Sequence, residues 1–151
     1  MTDSYIEFKE GYVAALEWLT IDCPDWQLDQ MREQDDSTFK EGYSEKIWQD
    51  GIEWNFSQCA LNRMEKDCQA FYLNNIELLK QAIGKETDAR NPSYKYYDWS
   101  QAGHDYWLTR NGHGVGFWDR GLGSIGDKLS QACQYDEVYA YLGDDNLVYI
   151  N

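Results

Sequence analysis

The segment GHDYWLTRNGHGVGFWDRG, residues 103–121, holds both histidines of the chain together with two aspartates and two arginines. A histidine held by a carboxylate can act as a general base, because the carboxylate orients the ring. An arginine beside it can grip a phosphate or carboxylate in its planar fork. His104, Arg110, His113 and Asp119 are the residues that could do this. They form a candidate ligand site on one condition, that a single surface carries them all.

A hairpin would supply that surface. HDYWLTR and HGVGFWD read as strands on either side of Asn111-Gly112, and Asn-Gly between such runs is the strongest short hairpin signal. A two-residue turn there predicts that Arg110 opposes His113, Leu108 opposes Val115, Tyr106 opposes Phe117 and His104 opposes Asp119. Asp105, Trp107, Thr109, Gly114, Gly116 and Trp118 would take the other face, with the Trp107 ring covering Gly116.

Against catalysis, no Ser or Cys nucleophile occurs within 103–121, and the chain has neither a phosphate-binding G-x-x-x-x-G-K-[ST] loop nor an H-E-x-x-H zinc motif. Arg110 and His113 can simply flank an exposed turn, and His104 with Asp119 can be a cross-strand polar pair. The expectation is that no residue is catalytic and that no metal or cofactor is bound. His104, Asp105 and His113 could supply metal ligands, and Asp144-Asp145-Asn146 resembles part of a calcium loop. The latter lacks the downstream glutamate of such a loop and reads as a turn.

The elements around this segment follow from periodicity. Tyr5, Phe8, Tyr12, Ala15, Leu16 and Leu19 recur at helical steps and predict a helix over 4–20, with Ser4 and Glu7 as a capping box. Residues 25–43 read as a polar acidic connection with a cap region at Asp35, Asp36 and Ser37, followed by a helix over about 44–54. A long helix is predicted over 57–84, apolar along Leu61, Met64, Cys68, Phe71, Tyr72, Ile76, Leu79 and Ile83 and stopped by Gly84. Residues 85–102 read as a tyrosine-rich connection, and 123–135 as a short helix. VYAYL and LVYI, at 138–142 and 147–150, flank Gly143 to Asn146 as a further hairpin. The pentapeptide FKEGY occurs at 8–12 and again at 39–43, but its flanks diverge and no repeat fold follows. The fold class expected is α+β in a single domain: 1–90 is mainly helical, and 103–151 is hairpin–helix–hairpin (ββαββ) with a small antiparallel sheet.

With 151 residues the chain can bury about 68–70% of the surface its unfolded form exposes, so it needs neither metal nor disulfide to fold. Seven Trp and twelve Tyr argue against disorder. Cys23, Cys59, Cys68 and Cys133 form no C-x-x-C pair and read as reduced thiols, Cys59 and Cys68 as small buried hydrophobes. No apolar run reaches transmembrane length, and the charged start is not that of a signal peptide.

The net charge is −14. Residues 1–56 carry 14 acidic and 4 basic side chains, whereas 57–90 carry 5 of each and 91–151 carry 8 and 4. Direct nucleic-acid binding needs a basic patch, and anionic membrane needs the same, so neither is expected. Acidity of this kind either keeps an aromatic-rich protein soluble or forms a ligand for a basic partner.

GHDYWLTRNGHGVGFWDRGLGSIGDKL, followed by YLGDDNLVY, resembles the C-terminal region of a family of small uncharacterised proteins from phages and mobile elements. These carry a GHDFWLTRNGHGAGFWDRG-type segment, a G-D-x-L helix and a closing Y-x-G-D-D-G hairpin. Phe8, Gly11, Tyr12, Ala15, Leu16 and Trp18 fit an early shared stretch, and DCQAF from Asp67 to Phe71 fits another. The acidic segment around 22–56 is longer here. The resemblance implies a phage or mobile-element origin and brings no catalytic residue with it.

Together these features predict a non-enzymatic accessory protein acting in the cytoplasm of a bacterial host. Its partner would be a host protein with a basic, nucleic-acid-binding surface, such as a restriction or CRISPR factor. The protein would mimic DNA through Glu7, Glu10, Glu17, Asp25, Asp29, Glu33, Asp35, Asp36, Glu41, Glu45, Asp50 and Glu53, whose carboxylates would replace phosphates. Two alternatives stand beside this. One is a small enzyme or ligand-binding module using His104, Arg110, His113 and Asp119. The other is a structural or oligomeric interaction protein whose exposed Trp and Tyr make the contact.

Overall fold

A computed structural model describes residues 2–18, 20–34, 52–134 and 136–151. The first helix, α1 (Asp3–Glu17), turns Tyr5, Phe8, Gly11, Tyr12, Ala15 and Leu16 inward. Its cap is Thr2, not Ser4: the Thr2 hydroxyl accepts from the Tyr5 N–H at 3.3 Å. After it comes α2 (Asp25–Gln34), where the sequence reads as a polar connection. Its apolar signal is too thin to show a period, yet Gln27 and Leu28 are buried. The cap region expected at Asp35 to Ser37 and most of the helix expected over 44–54 fall outside the described residues, while 52–54 are not helical.

The long helix expected over 57–84 is two helices, α3 (Gln58–Asn74) and α4 (Ile76–Ala82). Asn75 divides them. Its backbone leaves the helical region, at φ −119° and ψ 15°, while its N–H still makes the ordinary bond to the Phe71 carbonyl at 3.1 Å and its side-chain amide adds a second at 2.9 Å. Gly84 ends α4 with a φ of +84°. Cys68 is buried as expected, but Cys59 is exposed, and all four thiols are free.

The largest correction concerns residues 99–121. Trp99–Arg110 is a helix, α5, where the end of a connection and then a strand from His104 to Arg110 are expected. It opens on a full capping box: Asp98 accepts from the Gln101 N–H at 2.7 Å, and Gln101 accepts from the Asp98 N–H at 3.0 Å. Asn111-Gly112 does reverse the chain, but as a helix stop. Gly112 has a φ of +65°, its N–H bonds the Thr109 carbonyl at 3.2 Å, and the His113 N–H bonds that of Leu108 at 3.1 Å. This is the Schellman arrangement, which needs the same left-handed residue as a tight hairpin turn. Leu108 and Val115 are therefore not cross-strand partners. The chain then passes through a 3-10 turn at Phe117–Asp119 into α6 (Ser124–Cys133), so the C-terminal part is helix–turn–helix–hairpin and not ββαββ.

The second hairpin is present. Strands β2 (Ala140–Leu142) and β3 (Leu147–Ile150) pair antiparallel, Tyr141 opposite Tyr149 and Leu142 opposite Val148. A short strand β1 (Asn55–Phe56) adds to the far side of β3 in parallel, giving a mixed sheet of order β1-β3-β2. The fold is α+β.

At the centre α1 lies directly on α5. A Cβ at Gly11 would overlap the Ser100 carbonyl, and one at Gly103 would overlap that of Phe8, so the two backbones touch. Around this crossing Phe71 stacks on Tyr106 at 4.0 Å and on Phe117 at 5.9 Å. The core thus gathers the aromatic residues of four separate stretches of chain.

Candidate functional site

The ligand chemistry expected of residues 103–121 depends on four side chains meeting, and they do not meet. His104 and Arg110 lie six residues apart on α5 and leave it on different sides. His104 is half-buried with its ring 6.3 Å from that of Trp18. His113 and Asp119 are exposed on the loop and the 3-10 turn that follow α5.

Arg110 is wholly buried, and each of its three nitrogens is hydrogen-bonded. Its Nε donates to the Asp136 carbonyl at 2.8 Å, one terminal nitrogen donates to the Tyr12 hydroxyl at 3.0 Å and to Asp67 Oδ2 at 2.9 Å, and the other donates to Asp136 Oδ2 at 2.9 Å. The guanidinium also lies 5.2 Å from the Tyr106 ring centroid. It joins α1, α3, α5 and the segment after α6. Burial raises the Tyr12 and Tyr106 hydroxyls far above the usual phenol value, so both stay neutral.

A second charge pair lies further along the segment. Asp105 is completely buried and accepts from the Tyr97 hydroxyl at 2.7 Å and from Arg120 at 3.0 Å (Nε) and 2.6 Å (a terminal nitrogen). Thr109 Oγ1 accepts from the Phe117 N–H at 3.2 Å, and the Asn111 side chain bridges the Trp107 carbonyl and the Val138 N–H at 3.0 and 2.8 Å. These polar groups tie α5 to the rest of the chain.

Tyr12 and Asp67 fall in the two other stretches that carry the resemblance, which is the one sequence signal that could have linked them to Arg110. Nothing in sequence marks Asp136 or Tyr97, and although Asp105 and Arg120 both lie in the singled-out segment, nothing there pairs them.

Beside Arg110 opens a cleft of about 680 Å³, lined by Asp67, Phe71, Asn74, Tyr106, Gln134 and Asp136 among others. Its chemistry is that of amides, carboxylates and ring edges. Cys133 also borders it, with burial pushing the thiol up to about 12, away from nucleophilic use. Among the described residues no group of three or more His, Cys, Asp or Glu could hold a metal ion, and no helix is long and apolar enough to cross a membrane. Asp145 instead accepts from the Leu147 N–H at 3.1 Å within its turn.

The acidic residues behave differently. Glu7 and Glu10 are exposed on α1, in line with exposed Asp3 at helical steps of four and three residues. Glu17 continues the row but is half-buried, and burial raises its carboxyl above the usual range. Asp25, Asp29 and Glu53 are exposed. Glu33 sits on α2 with its side chain outside the described set, where Asp35, Asp36, Glu41, Glu45 and Asp50 also lie.

His104 has one consequence that can be measured. Burial lowers its imidazole below the ordinary value, and the nearby Asp105 charge only partly opposes this. The unfolded chain, with a value near 6.5, therefore takes up a proton first as pH falls. The stability His104 lends is present above about pH 6.5 and is lost below it, toward the folded value. His104→Gln should reduce the fall in melting temperature on going from pH 7 to pH 5. An unchanged pH dependence in folded His104→Gln would refute this.

Comparison of the chain with protein-family models, curated proteins and solved structures found no match.

Proposed function

We propose that the protein acts by binding, through its acidic helices, a basic surface on another protein, and that it catalyses no reaction. The observation that carries this reading is the outer row of α1. Asp3, Glu7 and Glu10 project to solvent at rises of about 6 and 4.5 Å along a helix whose other side is packed on α5. Carboxylates on so fixed a rod can occupy a groove made for phosphates. The candidate ligand residues of 103–121 speak against an enzyme, since Arg110 is spent on the fold and the others are scattered. In keeping with the resemblance to phage and mobile-element proteins, the partner is a nucleic-acid-binding host factor, such as a restriction or CRISPR protein, met in the bacterial cytoplasm.

The test is capture of such a factor followed by challenge. Raising salt from about 0.1 M to about 1 M shortens the screening length from about 10 to about 3 Å and should release the partner. DNA should compete for it. Glu7→Lys with Glu10→Lys should weaken capture without changing the melting temperature by more than a few degrees, because exposed charges cost little stability. Capture that ignores salt, DNA and both reversals would overturn the reading.

A further inference from the structure

The sheet has one face in the core and one outside. Ala140, Leu142 and Val148 point inward and are buried. Strand alternation then puts Tyr139, Tyr141 and Tyr149 on the outer face. They form a row: Tyr139 to Tyr141 is 5.9 Å between centroids at 22°, and Tyr141 to Tyr149 is 5.6 Å at 18°. Tyr139 at one end is 50% exposed, so its ring is open to a partner.

Carboxylates hold both ends of this row. The Tyr139 hydroxyl donates to Asp22, and the Tyr149 hydroxyl donates to Asp145 Oδ2 at 2.6 Å. Asp145 is held below the usual carboxylate range by that bond and by the Leu147 N–H, so it stays charged. The acidic N-terminal segment lies alongside. The Asp22 N–H donates to the Ala140 carbonyl and the Asp22 carbonyl accepts from the Leu142 N–H, both at 2.9 Å. Gln27 at the start of α2 donates to the Gly143 carbonyl at 2.7 Å and to Asn146 at 2.9 Å. Exposed Asp25 and Trp26 precede it directly, Trp26 being 58% exposed.

We propose that this face, Tyr139, Tyr141 and Tyr149 with Asp22 and Asp145, is a docking surface for arginine side chains of a basic protein. Stacked rings beside fixed carboxylates suit a cation that is planar, weakly hydrated and able to bond a carboxylate with two N–H groups at once. Guanidinium has all three properties, whereas the ammonium of lysine is a strongly hydrated point charge. The negative rim repels nucleic acid itself. The inference rests on the reading of the partner as basic and names the side chain by which it is read.

The experiment compares oligoarginine and oligolysine peptides of equal length by fluorescence anisotropy. The full chain should bind the arginine peptide about fivefold more tightly, the size of one exposed cation–π contact. Tyr139→Ser with Tyr141→Ser should remove the preference and leave lysine binding unchanged. Tyr139→Ser alone, at the exposed end, should lower the preference in a protein whose melting curve shows it folded. Glu7→Lys with Glu10→Lys should weaken both peptides alike. Equal binding of the two peptides, or a preference that survives loss of the rings, would overturn the arginine inference and leave the basic-partner reading standing. Binding of neither would sink both. Self-association abolished by Tyr139→Ser would assign the face to a second copy of this chain instead.

Discussion

Gly103→Ala should unfold the protein or cost it at least about 3 kcal/mol, measured as a shift in the urea midpoint. Helix propensity alone predicts the opposite, a gain of about 1 kcal/mol for alanine over glycine in a helix interior. The difference is the crossing with α1. The added methyl would overlap the Phe8 carbonyl and crowd the Tyr12 N–H, which are backbone atoms that cannot swing aside. Relief requires α1 and α5 to separate along their length, and Phe8, Tyr12 and Tyr106 would lose their packing with them. Overpacking ordinarily costs about 1–3 kcal/mol, and a backbone obstacle lies at or beyond the upper end of that range. Gly11→Ala should behave alike because of the Ser100 carbonyl. Gly112→Ala is the contrast. Nothing lies near its missing Cβ, so only the left-handed backbone is strained, at about 1–2 kcal/mol. A Gly103→Ala protein more stable than Gly112→Ala would refute the close crossing.

Arg110→Met should be destabilising by about 3–5 kcal/mol, the usual result of removing one partner from a buried ion pair. The methionine fills much of the space and leaves Tyr12 without its donor, while Asp67, with 13% of its side chain exposed, keeps the half-exposed Arg63 at 2.7 Å, so the loss sits at the lower end of that range. Asp136 is 70% exposed and can turn to water, so most of the loss falls on Tyr12 and Asp67. Adding Asp67→Asn to Arg110→Met should recover part of the loss, and a double-mutant cycle reads the coupling directly. Arg110→Lys should not rescue, because an ammonium cannot serve the Asp136 carbonyl, two carboxylates and a phenol from one atom. His113→Ala, in the same segment but exposed, should stay within about 0.5 kcal/mol of the parent. Additive effects at residues 110 and 67 would show that the pair is not a unit.

These two residues also show what a single sequence reveals and what it hides. Helix α1 was legible because one side of it faces water, so Tyr5, Phe8, Tyr12 and Leu16 stand out at helical steps. The hairpin from Ala140 to Ile150 was legible because Gly143 to Asn146 makes a turn between alternating strands. Helix α5 was not, for the opposite reason: Ala102, Gly103 and every residue from Asp105 to Arg110 are buried, and a helix buried on all sides has no polar face to set its period. Asn111-Gly112 then favoured the wrong element, because a hairpin turn and a Schellman stop both favour glycine at a left-handed position. The partners of Arg110 were beyond reach in another way. Asp67 lies 43 residues back and Asp136 lies 26 ahead, and no local rule joins acids and bases over such distances. The outer row of α1 was partly foreseen, since Glu7 and Glu10 were named, but the tyrosine face was read only as an unlocated excess of aromatics.

The order of the sheet bears on how the chain is made. Its middle strand, β3, is synthesised after both of its neighbours, and β1 is about ninety residues older than the strand it pairs with. While the ribosome is still extending the chain, Asn55-Phe56 and Ala140–Leu142 wait with unpaired backbone edges. Arg110 likewise lacks Asp136 until that residue has left the exit tunnel. Helix α1 has its main partner once α5 has emerged, whereas the sheet can close only after β3 is made. A polypeptide stalled short of Leu147 therefore presents two adhesive strand edges with no centre between them, which makes it a substrate for chaperones and proteases rather than a smaller working version of the protein.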